Sequence, residues 1–123
     1  MKITDLKPTI VWKFFHQVTQ VPRPSKKEGK MIEFLESFAK EYKIAIKKDE
    51  AGNLLMSKPA TPGMEDRPVV VLQSHMDMVC EKNNGTKHDF DNDPIETIVD
   101  GEWLRANGTT LGADNGIGVA AEL

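Results

Sequence analysis

A histidine and an aspartate two positions apart, His75 and Asp77, are the first residues here whose types and spacing could support chemistry. They follow the continuously apolar segment 69–72, which predicts a buried strand, and side chains two apart on a strand point the same way. A histidine that binds a metal needs its other ring N–H held, and a nearby carboxylate holds it while raising the ring's basicity. The pair therefore fits a metal ligand and its orienting carboxylate, although a purely structural pair of this kind is more common.

A glycine-rich segment, 108–118, holds the second candidate group, Asp114 with its neighbour Asn115. Glycines let the backbone turn sharply and approach a site closely, so Asp114 could bind one metal or bridge two. Two alternatives compete with a metal site. Asp114 or Asn115 could simply cap the helix that follows. A phosphate-cradling loop is disfavoured, because the acidic side chain would repel the anion and no P-loop lysine follows.

Three further features attract attention and are better explained without chemistry. Segment 89–93 has the alternating acids of a calcium loop, but Pro94 stands where an EF-hand needs glycine and Asp100 where it needs glutamate. We predict a solvated acidic loop there. His16 lies within a helical pattern, which favours a structural or surface role. Cys80 has no visible activating partner and is predicted to be an inert thiol.

Taken together, segments 74–83 and 111–118 resemble the aminoacyl-histidine dipeptidases, also called Xaa-His dipeptidases or peptidase D. These enzymes are di-zinc metallopeptidases related to peptidase T and the aminoacylases. The resemblance extends from segment 22–25 to the last residue and is specific at the two motifs.

The resemblance implies a role for each motif residue. His75 would be a terminal ligand of one zinc, Asp77 the active-site carboxylate that orients His75, and Asp114 the bridge between two zincs. It also implies a cis Asp114–Asn115 peptide bond in the metal-loaded enzyme. The full-length enzyme would carry two zinc ions and hydrolyse dipeptides, of Xaa-His type, with a metal-activated water. A homodimer is one candidate for its assembly.

The remaining machinery of such an enzyme is expected beyond Leu123, including a glutamate base and further metal ligands. The chain is therefore predicted to be an inactive fragment. Two other functions stay open: a non-catalytic regulatory or partner-binding module that keeps the fold, and another two-metal amidase acting on acylated amino acids.

The elements that must position these residues mix helices and strands, which favours the α/β class. Apolar residues at helical spacing predict one helix after Pro8 and another from a capping box at 25–28 to about Tyr42. Hairpins are predicted across 44–56 and at a type I′ turn on Asp100-Gly101, and a last helix opens near residue 119. We predict that residues 1–123 form the incomplete N-terminal portion of a zinc-exopeptidase-like catalytic domain, a mixed sheet flanked by helices.

The composition argues against several classes of binding partner. The net charge of −3 and the pI near 5.6 argue against nucleic-acid binding. No apolar run is long enough to span a bilayer and no signal peptide is visible, so no membrane role is expected. The single cysteine, Cys80, cannot form an internal disulfide, which favours a cytoplasmic location. A small peptide is the expected substrate.

Overall fold

The computed structural model describes all residues from Met1 to Leu123 and contains three α-helices and two small sheets. In chain order the elements are a 3-10 turn at Ile3–Asp5, α1 (Thr9–Thr19), α2 (Gly29–Glu41), β1 (Ala45–Lys48), β2 (Leu54–Ser57), β3 (Thr97–Asp100), β4 (Trp103–Ala106) and α3 (Ala113–Glu122). The mixture of helices and strands confirms the predicted α/β class. The residues form two compact units, one of Met1–Met31 with Gln73–Leu123 and one of Ile32–Leu72.

In the first unit, α1 packs against α3. Helix α1 buries Phe15 and Val18 on one face, at the three-residue spacing that places side chains on the same side of a helix. Helix α3 contributes the buried residues Val119 and Ala120. The chain returns beside α1 at Ile95, whose backbone N–H donates to the carbonyl of the last α1 residue at 2.9 Å. This packing gives α3, and the loop before it, a fixed base.

The hairpin β3–β4 also belongs to the first unit, and its turn lies one residue later than predicted. Asp100 pairs with Trp103, so Gly101 and Glu102 form the two-residue connection. Gly101 has a φ of +59°, whereas Glu102 is not among the residues of positive φ. A type I′ turn needs positive φ at both central positions, and a glycine at the first alone is typical of type II′. The predicted type I′ turn on Asp100-Gly101 is therefore wrong.

The second unit contains the hairpin β1–β2, which confirms the prediction across 44–56. Its register pairs Ala45 with Ser57 and Lys48 with Leu54. The Asp49 carboxylate closes the turn by accepting the backbone N–H of Asn53 at 2.8 Å. Hydrogen bonds from Asn53, its side chain first, hold the pKa of Asp49 below its usual value.

Segment 69–72, in the second unit, differs from the buried strand predicted for it. It forms no strand, and its residues are between 66% and 89% exposed. A central strand needs a neighbour along each edge, and β1 and β2 pair only with each other. The apolar run predicts a preference for burial, but it does not supply the partner that would bury it. The predicted buried strand is wrong.

The starts of α2 and α3 also differ from expectation. Helix α2 begins at Gly29, and Lys26 has a φ of +70°, so residues 25–28 form no capping box. Glu28 instead accepts the backbone N–H of Lys26 at 2.7 Å. Helix α3 begins at Ala113 rather than near residue 119, with a kink through Asp114 and Asn115.

No helix in the structure is both long enough and apolar enough to cross a membrane.

Candidate active site

His75 lies between two carboxylates, one at each ring nitrogen. Its Nδ1 is 2.9 Å from Asp77 Oδ1, and its Nε2 is 2.9 Å from Asp114 Oδ1. The His75 side chain is 53% exposed and that of Asp114 is 95% exposed. The structure therefore brings together all three residues that the motifs single out, at a position open to solvent.

Two acidic neighbours favour the protonated imidazole. The pKa of His75 is raised above its usual value of 6.5, chiefly by the hydrogen bond to Asp114, with Asp77 acting in the same direction. Burial opposes this increase. With a carboxylate at each nitrogen, the ring needs two N–H donors to satisfy both contacts, and only the imidazolium has them. The arrangement thus attracts positive charge at His75 Nε2.

Asp77 is held in turn by Ser25, a residue that the sequence analysis placed at a helix cap. The Ser25 hydroxyl donates to Asp77 Oδ2, while Oδ1 of the same carboxylate faces His75. The hydrogen bond from Ser25 is the largest cause that lowers the pKa of Asp77, followed by His75, while burial acts in the opposite direction. A carboxylate that accepts two hydrogen bonds stays ionised and has a fixed orientation.

The structure separates the roles of Asp114 and its neighbour. Asn115 Oδ1 accepts the backbone N–H of Gly118 at 3.1 Å, three residues ahead, which is the geometry of a helix N-cap. Asn115 therefore caps the regular part of α3, and the Asp114 carboxylate is left to meet His75. The Asp114–Asn115 peptide bond is cis, the form that the resemblance implies for the metal-loaded enzyme.

Arg23 is the residue of this region that the sequence analysis missed. It is 1% exposed. Its Nη1 donates to the carbonyl of Met76 at 3.2 Å, and its Nη2 donates to the carbonyl of Gly112 at 2.8 Å. Its position between two prolines marks only a turn, so no local pattern predicts these distant partners. The resemblance, which begins at segment 22–25, was the one signal that could have drawn attention to it.

The features that were set aside stay outside the site. In segment 89–93 the Asp89 carboxylate accepts the Asp91 backbone N–H at 2.9 Å, and Lys27 forms an ion pair with Asp91 at 2.9 Å. The acids thus bind to their own loop and to an exposed lysine. Cys80 is half-buried, and burial raises the pKa of its thiol, which disfavours the reactive thiolate. His16 has a buried Nδ1 without a hydrogen-bond partner.

The donors at His75 and Asp114 suit zinc, which accepts imidazole nitrogen and carboxylate oxygen. They are only two ligands, however, and no group of three or more His, Cys, Asp or Glu side chains converges on a metal position. Catalytic zinc usually takes three protein ligands and a water. The pair fits zinc in its chemistry and supplies part of a coordination sphere.

Comparison with known proteins finds similarity to two dipeptidases. No family model matches. The chain is 49% identical, over 122 residues and 99% of its length, to the cytosol non-specific dipeptidase of Escherichia coli K12, of whose length it spans about a quarter (25%). The crystal structure of aminoacylhistidine dipeptidase from Vibrio alginolyticus matches with a TM-score of 0.95 and 48% identity, covering 98% of this chain and 25% of that one.

A tripeptidase from Staphylococcus aureus matches with a TM-score of 0.73 and 23% identity, covering 92% of this chain and 30% of that one. At that identity the likeness shows the fold alone. The two dipeptidase matches confirm the resemblance to dipeptidases that the motifs indicate.

The acidic surroundings of His75 lead to a first prediction. In the metal-free protein, an NMR titration should give His75 a pKa above 6.5, and Asp114→Asn should lower it, because the largest cause of the increase is removed. The sign for stability follows. Stabilisation by these contacts is fully present below the unfolded pKa of about 6.5 and is lost as the pH rises through the raised folded pKa. Asp100→Asn is the control, and a His75 pKa at or below 6.5 would contradict the prediction.

Proposed function

We propose that this chain is part of a zinc-dependent dipeptidase in which His75 and Asp114 bind metal and Asp77 orients His75. The observation that carries the proposal is the imidazole held between two carboxylates, in a chain that is 49% identical to a dipeptidase. A site that raises the pKa of an imidazole attracts a cation. In the metal-free chain that cation is the proton on His75 Nε2, and metal binding would replace it.

Each residue has a distinct task in this proposal. Asp77 accepts the hydrogen bond from Nδ1–H, which leaves the Nε2 lone pair of His75 directed away from Asp77 and available to a metal. The exposed Asp114 carboxylate offers oxygen ligands on the other side. Bound zinc would polarise the scissile carbonyl and lower the pKa of a water molecule. The general base and the other ligands are expected outside this chain.

For the substrate, we propose dipeptides that include those with a C-terminal histidine. The names of the two dipeptidase relatives differ on this point, since one is a non-specific dipeptidase and the other an aminoacylhistidine dipeptidase. The proposal of Xaa-His hydrolysis therefore rests on the resemblance of the motifs.

The experiment is zinc analysis and a substrate panel on the whole protein. We expect about two zinc ions per chain, hydrolysis of dipeptides, and loss of hydrolysis after chelation. His75→Ala and Asp114→Asn should each lower zinc content and turnover together, and Asp100→Asn, at an exposed hairpin position, should change neither. A preference for N-acyl amino acids would identify an amidase instead. Zinc binding without any hydrolysis would identify a non-catalytic module.

A separate prediction concerns Asp77. If it acts only through His75, Asp77→Ala should lower turnover by about 10- to 100-fold while the zinc content stays near that of the wild type. Asp66→Ala, at a side chain that is 83% exposed, is the matched control. Loss of one zinc per chain in Asp77→Ala would show that Asp77 is itself a ligand and that the orienting role is wrong.

A further inference from the structure

We propose that Arg23 is the positioning residue of this site, because its buried guanidinium joins the backbone of the His75 segment to the backbone before Asp114. The role as a metal-site residue rests on the function proposed above. The joining of the two segments does not, and it can be measured without metal.

The contacts of Arg23 reach both segments from one planar group. Nη1 donates to the carbonyls of Met76 at 3.2 Å and Asp77 at 3.4 Å, directly after His75. Nη2 donates to the carbonyl of Gly112 at 2.8 Å, two residues before Asp114. A change in the position of the guanidinium would therefore change the separation of the two backbones that carry the candidate ligands.

The main chain of Arg23 is fixed to the same region. Its carbonyl accepts the Met78 N–H at 3.0 Å, and the next residue, Pro24, forms an isolated parallel bridge with Met78. Only the Gly112 side of the junction depends entirely on the Arg23 side chain. Thr110, whose hydroxyl donates to the carbonyl of Val79 at 2.7 Å, also joins the two segments. Loss of the guanidinium should therefore loosen the Gly112 end of the junction, two residues before Asp114, without separating the segments completely.

Two glycines leave room for this guanidinium. A Cβ on Gly112 would lie 2.5 Å from Arg23 Nη2, and a Cβ on Gly116 would lie 2.7 Å from the same atom. Both distances are shorter than real carbon contacts. Gly112 also has a φ of +71°, whereas Gly116 has no such backbone requirement. At Gly116 the close approach of Arg23 is therefore the main reason for glycine.

The charge of Arg23 also acts near the site. Burial lowers the pKa of the Arg23 guanidinium, and attraction to the ionised forms of Cys80 and Asp77 opposes that change. Since the ordinary pKa of arginine lies far above neutral pH, the group stays protonated at neutral pH. Lysine carries the same charge on a single ammonium and cannot present the two-pronged donor geometry that meets carbonyls on both sides. Arg23→Lys therefore separates geometry from charge.

The test uses Arg23→Lys in the whole protein, with Arg105→Lys, at a side chain that is 61% exposed, as the control. Zinc affinity is measured by chelator competition at a temperature where circular dichroism shows the variant folded. We expect affinity to fall by about 10- to 100-fold. In the zinc-free protein, hydrogen exchange of the Gly116 amide, which donates to Gly112 O at 3.0 Å, should become about tenfold faster. The control should change neither.

A second variant approaches the same contact from α3. Gly116→Ala keeps Arg23 but displaces Nη2, and it should weaken zinc binding in the same way. Gly29→Ala is its control, because a Cβ at Gly29, the first residue of α2, meets nothing within 4 Å. If Arg23→Lys does not fold, Gly116→Ala decides the question.

The possible outcomes are distinguishable. Zinc affinity and Gly116 exchange that are unchanged in the folded variants, even with a lower melting temperature, would reduce Arg23 to a structural residue and overturn the proposal. A wild-type protein that binds no zinc would refute the proposed function instead. In that case local exchange at Gly116 still decides whether Arg23 joins the two segments.

Discussion

The structure around the candidate site depends on a buried guanidinium that is bonded to backbone carbonyls. Removing an arginine from water is costly unless its donors find partners, and Arg23 has carbonyl partners on both sides. Its Nε remains buried without one. This single group contacts chain segments that lie far apart in the sequence, and it approaches Gly112 and Gly116 so closely that neither has room for a side chain.

Above this junction, the chemistry is set by the balance of charge at His75. Ser25 holds Asp77, Asp77 holds one ring nitrogen, and Asp114 faces the other. The ring is therefore oriented from one side and open to a cation on the other. Asn115 caps α3 with its own side chain, which leaves the Asp114 carboxylate available. Neighbouring residues thus divide the structural and chemical tasks.

Local patterns predict the parts of this chain that local interactions determine. The spacing of apolar residues predicts α1, and the turn residues predict the hairpin β1–β2. The resemblance of the two motifs to the dipeptidases predicts that His75 and Asp114 lie at one site. The prediction of a buried strand at 69–72 is wrong because burial depends on a partner strand, which this segment's own sequence does not contain. The predicted helix cap at Ser25 is wrong because its hydroxyl donates a charge-assisted hydrogen bond to the Asp77 carboxylate and accepts no backbone N–H at a helix start. The contacts of Arg23 could not be predicted from local patterns because its partners are distant in the sequence.

In the proposed function, the contact between His75 Nε2 and Asp114 marks the position of a metal ion. Anomalous diffraction at the zinc absorption edge, from crystals of the whole zinc-loaded protein, would locate that ion. We predict an anomalous peak within coordinating distance, about 2.0–2.2 Å, of both His75 Nε2 and an Asp114 carboxylate oxygen. Zinc bound elsewhere, with His75 Nε2 still hydrogen-bonded directly to Asp114, would contradict the proposed metal site.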